Sequence, residues 1–215
     1  MGRLLGQLSP ASVEALAGWP ATTAPDVRHD LPGTRSTQDM AFDDLSAELR
    51  RCRASDAKAE LIGYVHSRRW HRVWMVAAKP PKPGAAELCW TSGLFSGGGA
   101  GVFSGASHPR PVVPPLTASG TGGAKFGTIE GQVTKRAVRV QVRFRDGRRP
   151  LQLGVVRAGD RYPVNFYVGF FAGSGSEDEE KWPPAEVAAF DARGRQLARC
   201  TIGPPWNTPS ACNGD

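Results

Sequence analysis

Val138–Arg149 reads VRVQVRFRDGRR, with Val138, Val140, Val142 and Phe144 alternating with Arg139, Gln141, Arg143 and Arg145. A β-strand turns successive side chains to opposite faces, so this period of two predicts a half-buried strand with one apolar and one arginine-rich face. Asp146-Gly147 follows at once, and both residue types tolerate the positive φ that a tight hairpin turn requires. The chain is expected to return through LQLGVVR (151–157), turn at Ala158-Gly159-Asp160, and run out again through VNFYVGFF (164–171). EVAAFDARGRQLARCTI (186–202) predicts a last hairpin, turning near Asp191–Gly194.

Upstream, the same period appears in ELIGYVH (60–66), WHRVWMVAA (70–78) and ELCWTSGL (87–94), separated by Arg68-Arg69 and by KPPKPG. In the second of these, Val73, Met75 and Ala77 share a face opposite Arg72, Trp74 and Val76. Short strands at such regular spacing imply a mainly β protein, an antiparallel sandwich or barrel rather than βαβ units. Ahead of them, residues 39–54 predict a helix. Phe42, Leu45, Leu49 and Cys52 form its apolar stripe, with Asp39, Asp43 and Asp44 at its start and Arg50, Arg51 and Arg53 at its end. Ser9-Pro10 is a second helix start, as cap and first helical residue. The expected organisation is a short helical N-terminal extension (1–58) followed by a β-sandwich domain (59–215). Residues 95–125 carry no helix or strand signal and are expected to form a Gly/Pro-rich loop, of a length that is usually functional or disordered.

The composition suits a globular chain able to bury a core: 215 residues, 40% hydrophobic and 22% charged, with 26 glycines and 18 prolines that favour turns over long helices. No apolar run approaches the roughly 20 residues of a membrane-spanning helix. MGRLLGQLSPASVEALAGWP has no continuous apolar segment, so no signal peptide is read there. The net charge of +7 is uneven. Residues 126–172 hold nine Lys and Arg against three Asp and Glu, and 61–125 hold seven against one, whereas both ends are mildly acidic. A basic centre attracts phosphates, anionic glycans and acidic lipids, and it also simply solvates a surface.

Motif tests remove several chemistries. GLFSGGGAGVFSG (93–105) says GLFSG and then GVFSG. It lacks the last glycine of a dinucleotide fingerprint, the Gly-Lys-Ser/Thr of a P-loop and the G-x-S-x-G of a nucleophile elbow. His29, His66, His71 and His108 fit no zinc-ligand spacing, and Glu177–Glu180 lacks the alternation and glycine of a calcium loop. No catalytic residue, metal site or cofactor is therefore assigned. Arg139, Arg143 and Arg145, extended by Arg148 and Arg149, form the best candidate ligand surface, suited to phosphate, sulfate or carboxylate groups. Sequence-specific nucleic-acid binding is disfavoured, because no aromatic alternates with the arginines on their exposed side. The four cysteines show no CxxC spacing. Cys200 and Cys212 bracket a Pro-rich loop and are a candidate disulfide, the alternative being two free thiols; a Cys52–Cys89 bridge is the less favoured pairing.

RRWHRVWMVAAKPPKPGAAELCW, SGGGAG, GTIEGQVTKRAVRVQVRFRDGR, FYVGFF and AEVAAFDARGRQLA together resemble a group of actinobacterial cell-envelope proteins with an immunoglobulin-like sandwich, over about residues 60–200. The resemblance implies a location and a fold rather than a reaction. In that pattern the Gly-rich loop often carries a cysteine that partners the one in the L-C strand. Here the loop reads Gly99-Ala100-Gly101, which leaves Cys52 as the partner for Cys89. The expectation is thus a non-enzymatic binding or structural module. It is placed outside the cytoplasm if an anchor lies upstream, and in the cytoplasm otherwise. Its partner would be an anionic glycan, a lipid surface or another protein. The rivals are a hydrolase with a site assembled around 95–125, and a regulatory partner protein using the Phe42–Cys52 helix.

Overall fold

The structure, a computed structural model, describes residues 21–23, 35–67, 72–96, 99–105, 110–111, 116–122, 126–172, 184–202 and 210–214. Among the described residues it is mainly β, with antiparallel sheets and one helix of 16 residues. Two compact units organise it. One holds the described residues of Gly18–Val112 with Val156–Pro163; the other holds those of Val113–Val155 and Val164–Asp215.

In the first unit, β1 (Ala21–Thr23), β2 (Glu60–Ser67), β3 (Arg72–Ala78), β5 (Trp90–Ser96) and β6 (Gly99–Gly105) form one sheet in the order β1-β2-β3-β5-β6. Helix α1 (Arg35–Arg50) buries its stripe on that sheet. Leu45, Leu49 and Cys52 cluster with Leu61, Tyr64, Met75, Ala77 and Cys89, and Phe42 and Val73 pack against them. The predicted face of Val73, Met75 and Ala77 is thus the one the helix covers. Trp74 and Val76, opposite, are buried as well. Leu61 and Tyr64 lie an odd number of residues apart yet share the helix side, because a bulge between Leu61 and Gly63 shifts the β2–β3 register and reverses the alternation. Lys79, buried at the end of β3, donates through Nζ to the Cys52 and Ser55 carbonyls (2.9 and 3.1 Å), and Ser55 Oγ donates to the Pro80 carbonyl. Those bonds fix the segment after the helix.

Two expectations change here. The helix begins at Arg35 rather than 39 and ends at Arg50, so its first turn holds no acidic residue and Arg51 and Arg53 lie past its end. Its polar opening, Arg35-Ser36-Thr37-Gln38, gives a periodicity test nothing to detect. The glycine phrase and the residues after it are not one loop over 95–125. Gly99–Gly105 is β6, paired with β5 (Leu94 opposite Val102), and β7 (Arg110–Pro111) pairs with β4 (Glu87–Leu88). Farther on, β8 (Thr117–Gly122) pairs with β9 (Phe126–Thr134). Glycine weakens strand propensity but still donates and accepts backbone bonds, so a ladder supplied by neighbouring strands recruits segments that composition disowns.

In the second unit, β10 (Arg139–Phe144), β11 (Leu151–Gly154), β13 (Pro184–Phe190), β14 (Gln196–Thr201) and β16 (Asn213–Gly214) form a sheet ordered β11-β10-β13-β14-β16. A second sheet runs β12-β9-β8-β15, with β12 at Val164–Ala172 and β15 at Ser210–Ala211. One core serves both. Val140, Val142, Val187, Ala189, Ala198 and Cys200 of the first sheet cluster with Ala118, Ile129, Val133, Tyr167 and Phe171 of the second. Both predicted hairpin turns form, with Gly147 and Gly194 at φ of 73° and 79°. All four cysteines are paired, as Cys52–Cys89 (Cα–Cα 5.9 Å) and Cys200–Cys212 (Cα–Cα 4.6 Å). Among the described residues no helix is long and apolar enough to cross a membrane. The Ser9-Pro10 helix start lies outside the described residues.

A candidate anion-binding face

The β10 pattern resolves as the alternation requires. Val140, Val142 and Phe144 are buried, Arg139 and Gln141 are half-buried, and Arg143 is exposed. β13 lies beside β10 and sets Phe190 opposite Arg139, Ala188 opposite Gln141 and Glu186 opposite Arg143. β14, beyond it, sets Arg199 opposite Ala188 and Thr201 opposite Glu186. Opposed residues of an antiparallel pair share a face. One outer face therefore carries Arg143 and Arg199 beside Glu186, with Arg139 and Phe190 farther along the same strands.

Each charge on this face has a neighbour. The Arg139 guanidinium lies 4.6 Å over the Phe190 ring, a cation–π contact. Glu186 stands between two arginines, with Arg143 Nη1 3.7 Å from Oε1 and Arg199 Nη1 3.8 Å from Oε2. The Arg143 and Arg199 side chains stay 61% and 60% exposed while Glu186 is 22% exposed. At these distances and exposures the pairs are weak, and their arginines can turn to an incoming anion.

Arg145 and Arg148 are committed within the chain. Arg145, just past the end of β10, donates from Nη2 to the Ile202 carbonyl at 2.8 Å. Arg148 forks onto both Asp146 oxygens, donates to the Ala172 carbonyl at 2.8 Å, and lies 5.1 Å over the Phe144 ring. This Arg148 hydrogen bond holds the Asp146 carboxyl below the usual carboxylate range. Arg148 is thus the clasp of the β10–β11 turn. At the next hairpin, Asp191 accepts the backbone N–H groups of Arg193 and Arg195, both at 2.9 Å, and these bonds lower its pKa.

Sequence reasoning missed Arg199, Glu186 and Phe190. The hairpin reading of 186–202 located the two strands but assigned no face to these side chains. That β13 rather than β11 alone flanks β10 is a pairing across more than 40 positions, and no local signal carries it. Among the described residues no group of three or more His, Cys, Asp and Glu side chains could hold a metal. His29, His71, His108 and Glu177–Glu180 lie outside the described residues. Trp74 and Trp90 are core residues, 0% and 1% exposed.

Two polar clusters elsewhere are structural in character. Glu60 receives Arg161 Nη2 on both carboxylate oxygens (2.8 Å each) and the Tyr162 hydroxyl at 3.0 Å, tying residues 161–162 to β2. Burial, reinforced by Glu60, pushes the Tyr162 hydroxyl well above the ordinary phenol range. In the second unit, Thr128, Glu130 and Gln132 form a buried polar row along one side of β9. Alternation in GTIEGQVT does not say how many sides of a sheet are covered, so the burial of this row has no local signal in the sequence. No protein-family model, curated protein or solved structure matches this chain.

Proposed function

We propose that this chain is a non-enzymatic binding or structural module working outside the cytoplasm, at the cell envelope, and that it contacts an anionic partner through the outer face of β10, β13 and β14. One observation carries the reading: two well-exposed arginines, Arg143 and Arg199, flank one carboxylate on a sheet face that also carries Arg139 over Phe190. A sulfated or carboxylated glycan, or an anionic headgroup layer, would take over Arg143 and Arg199 from Glu186. Phe190, under Arg139, would give a sugar ring an apolar edge. The location is supported by the two disulfides, since paired thiols persist in oxidising compartments and are rare in reducing ones. The two sheets around the core of the second unit are read, together with the resemblance to envelope proteins, as an immunoglobulin-like sandwich. The helix reading loses support because the Phe42–Cys52 stripe is covered within the chain.

The test measures binding to heparin and, separately, to vesicles containing phosphatidylglycerol, for the intact protein and for an Arg139→Ser/Arg143→Ser/Arg199→Ser variant. The variant should lose at least tenfold in affinity for one of the two probes, and that probe identifies the class of partner. Unchanged binding to both, with the fold intact, removes the face from consideration.

A further inference from the structure

We infer that β6 is a strand-pairing edge through which two copies of this chain join, β6 against β6 in antiparallel orientation, to make one sheet continuous across a two-fold axis. β6 ends the order β1-β2-β3-β5-β6, and no described strand pairs with its outer side. Edge strands in soluble proteins are commonly blunted by charges, by proline or by brevity. The other end of this sheet, β1, is three residues long. β6 has seven residues, GAGVFSG, with no charge and no proline.

The repeat supplies the partner. Within the chain β5 and β6 bring the starts of the two phrases together, with Leu94 opposite Val102 and Gly93 opposite Phe103. The second residue of one phrase thus meets the second residue of the other, and the first meets the third. Beyond Leu94 the ladder shifts at a bulge and resumes with Ser96 opposite Gly99. A second copy's GVFSG laid on the free side of β6 in the same register sets Val102 opposite Val102, and Gly101 and Phe103 opposite one another on both sides of the axis. On the Gly93 side of that register, β6 offers a second copy the pairing it already makes with β5, a branched aliphatic opposite a branched aliphatic and glycine opposite phenylalanine. An isologous two-fold contact needs such a self-complementary surface, and aromatic residues opposite glycine are a recurrent way of stabilising glycine-containing strands.

Sedimentation velocity of the intact, disulfide-bonded protein over a wide concentration range should show a monomer–dimer equilibrium. Residue 102 faces itself, so Val102→Lys and Val102→Glu each set like charges against each other and should sediment as one chain. An equimolar mixture of the two variants sets opposite charges across the axis and should recover the two-chain species. Amide exchange of residues 99–105 in the unsubstituted protein should slow as concentration rises, which tests the contact even where a charged variant fails to fold. A single-chain species at every concentration overturns the inference. So does a dimer that persists in either folded variant, or one whose 99–105 amides exchange at the same rate in dilute and concentrated solution.

Discussion

At Gly131 the backbone of β8 occupies the space where a side chain would stand. A Cβ there would clash with the Thr117 carbonyl oxygen and come within 2.7 Å of its carbon and 3.0 Å of the Tyr167 ring. The same Thr117 carbonyl accepts the Tyr167 hydroxyl at 2.7 Å. A backbone and a ring cannot both retreat, so Gly131→Ala is expected to destabilise by about 1–3 kcal/mol, the usual range for overpacking, and to show it in a denaturant titration. The sequence offers GTIEGQV as an ordinary strand and gives no sign of this close approach. Asp191 is the opposite case, since D-x-x-G already reads as a turn. Its folded pKa is lowered from 3.8, so its charged form stabilises the hairpin at pH above about 4, and that contribution disappears as pH falls through the depressed value. Asp191→Asn should therefore melt below the unsubstituted protein near neutrality, the two melting temperatures converging in acid. A gap that persists in acid would remove the charge from the explanation.

Elements are held by staples as well as by packing. The Cys52–Cys89 bridge closes 37 residues and joins the end of α1 to the start of β5, while Cys200–Cys212 closes 12. In the chain-entropy model these closures contribute about 4 and about 3 kcal/mol respectively, so Cys52→Ser/Cys89→Ser should cost more than Cys200→Ser/Cys212→Ser in equilibrium unfolding. Helix α1 is anchored apart from its bridge by Leu45 and Leu49, both 0% exposed. Leu45→Ala should cost about 2–5 kcal/mol with the disulfide intact. Loss of far less would mean that the bridge, not the stripe, holds the helix. The stripe was legible because four apolar residues recur at helical spacing. The start of the helix was not, because its first turn is polar throughout.

For the whole molecule, the arginines are divided between roles that charge counting cannot separate. Arg148 and Arg161 fasten turns onto Asp146 and Glu60, and Arg145 caps a carbonyl; Arg139, Arg143 and Arg199 remain on a face. If that face binds an anionic polymer, affinity should fall steeply with added salt, and Arg143→Ser/Arg199→Ser should flatten the slope. Binding that ignores salt would point to an apolar contact instead.

The sequence by itself determined the mainly β character, the turns at Asp146-Gly147 and Asp191–Gly194, the apolar sides of β3 and β10, and the stripe of α1. Each of these follows from a period or a turn residue that acts over a few positions. Only the tertiary structure decided which strands become neighbours. It set β13 beside β10, so that Arg143 and Arg199 share Glu186, and it drew the glycine phrase into a sheet as β6. It also divided the strands between two units. Those outcomes rest on backbone ladders between segments far apart in the chain, and a backbone hydrogen bond leaves no mark on the residue that makes it.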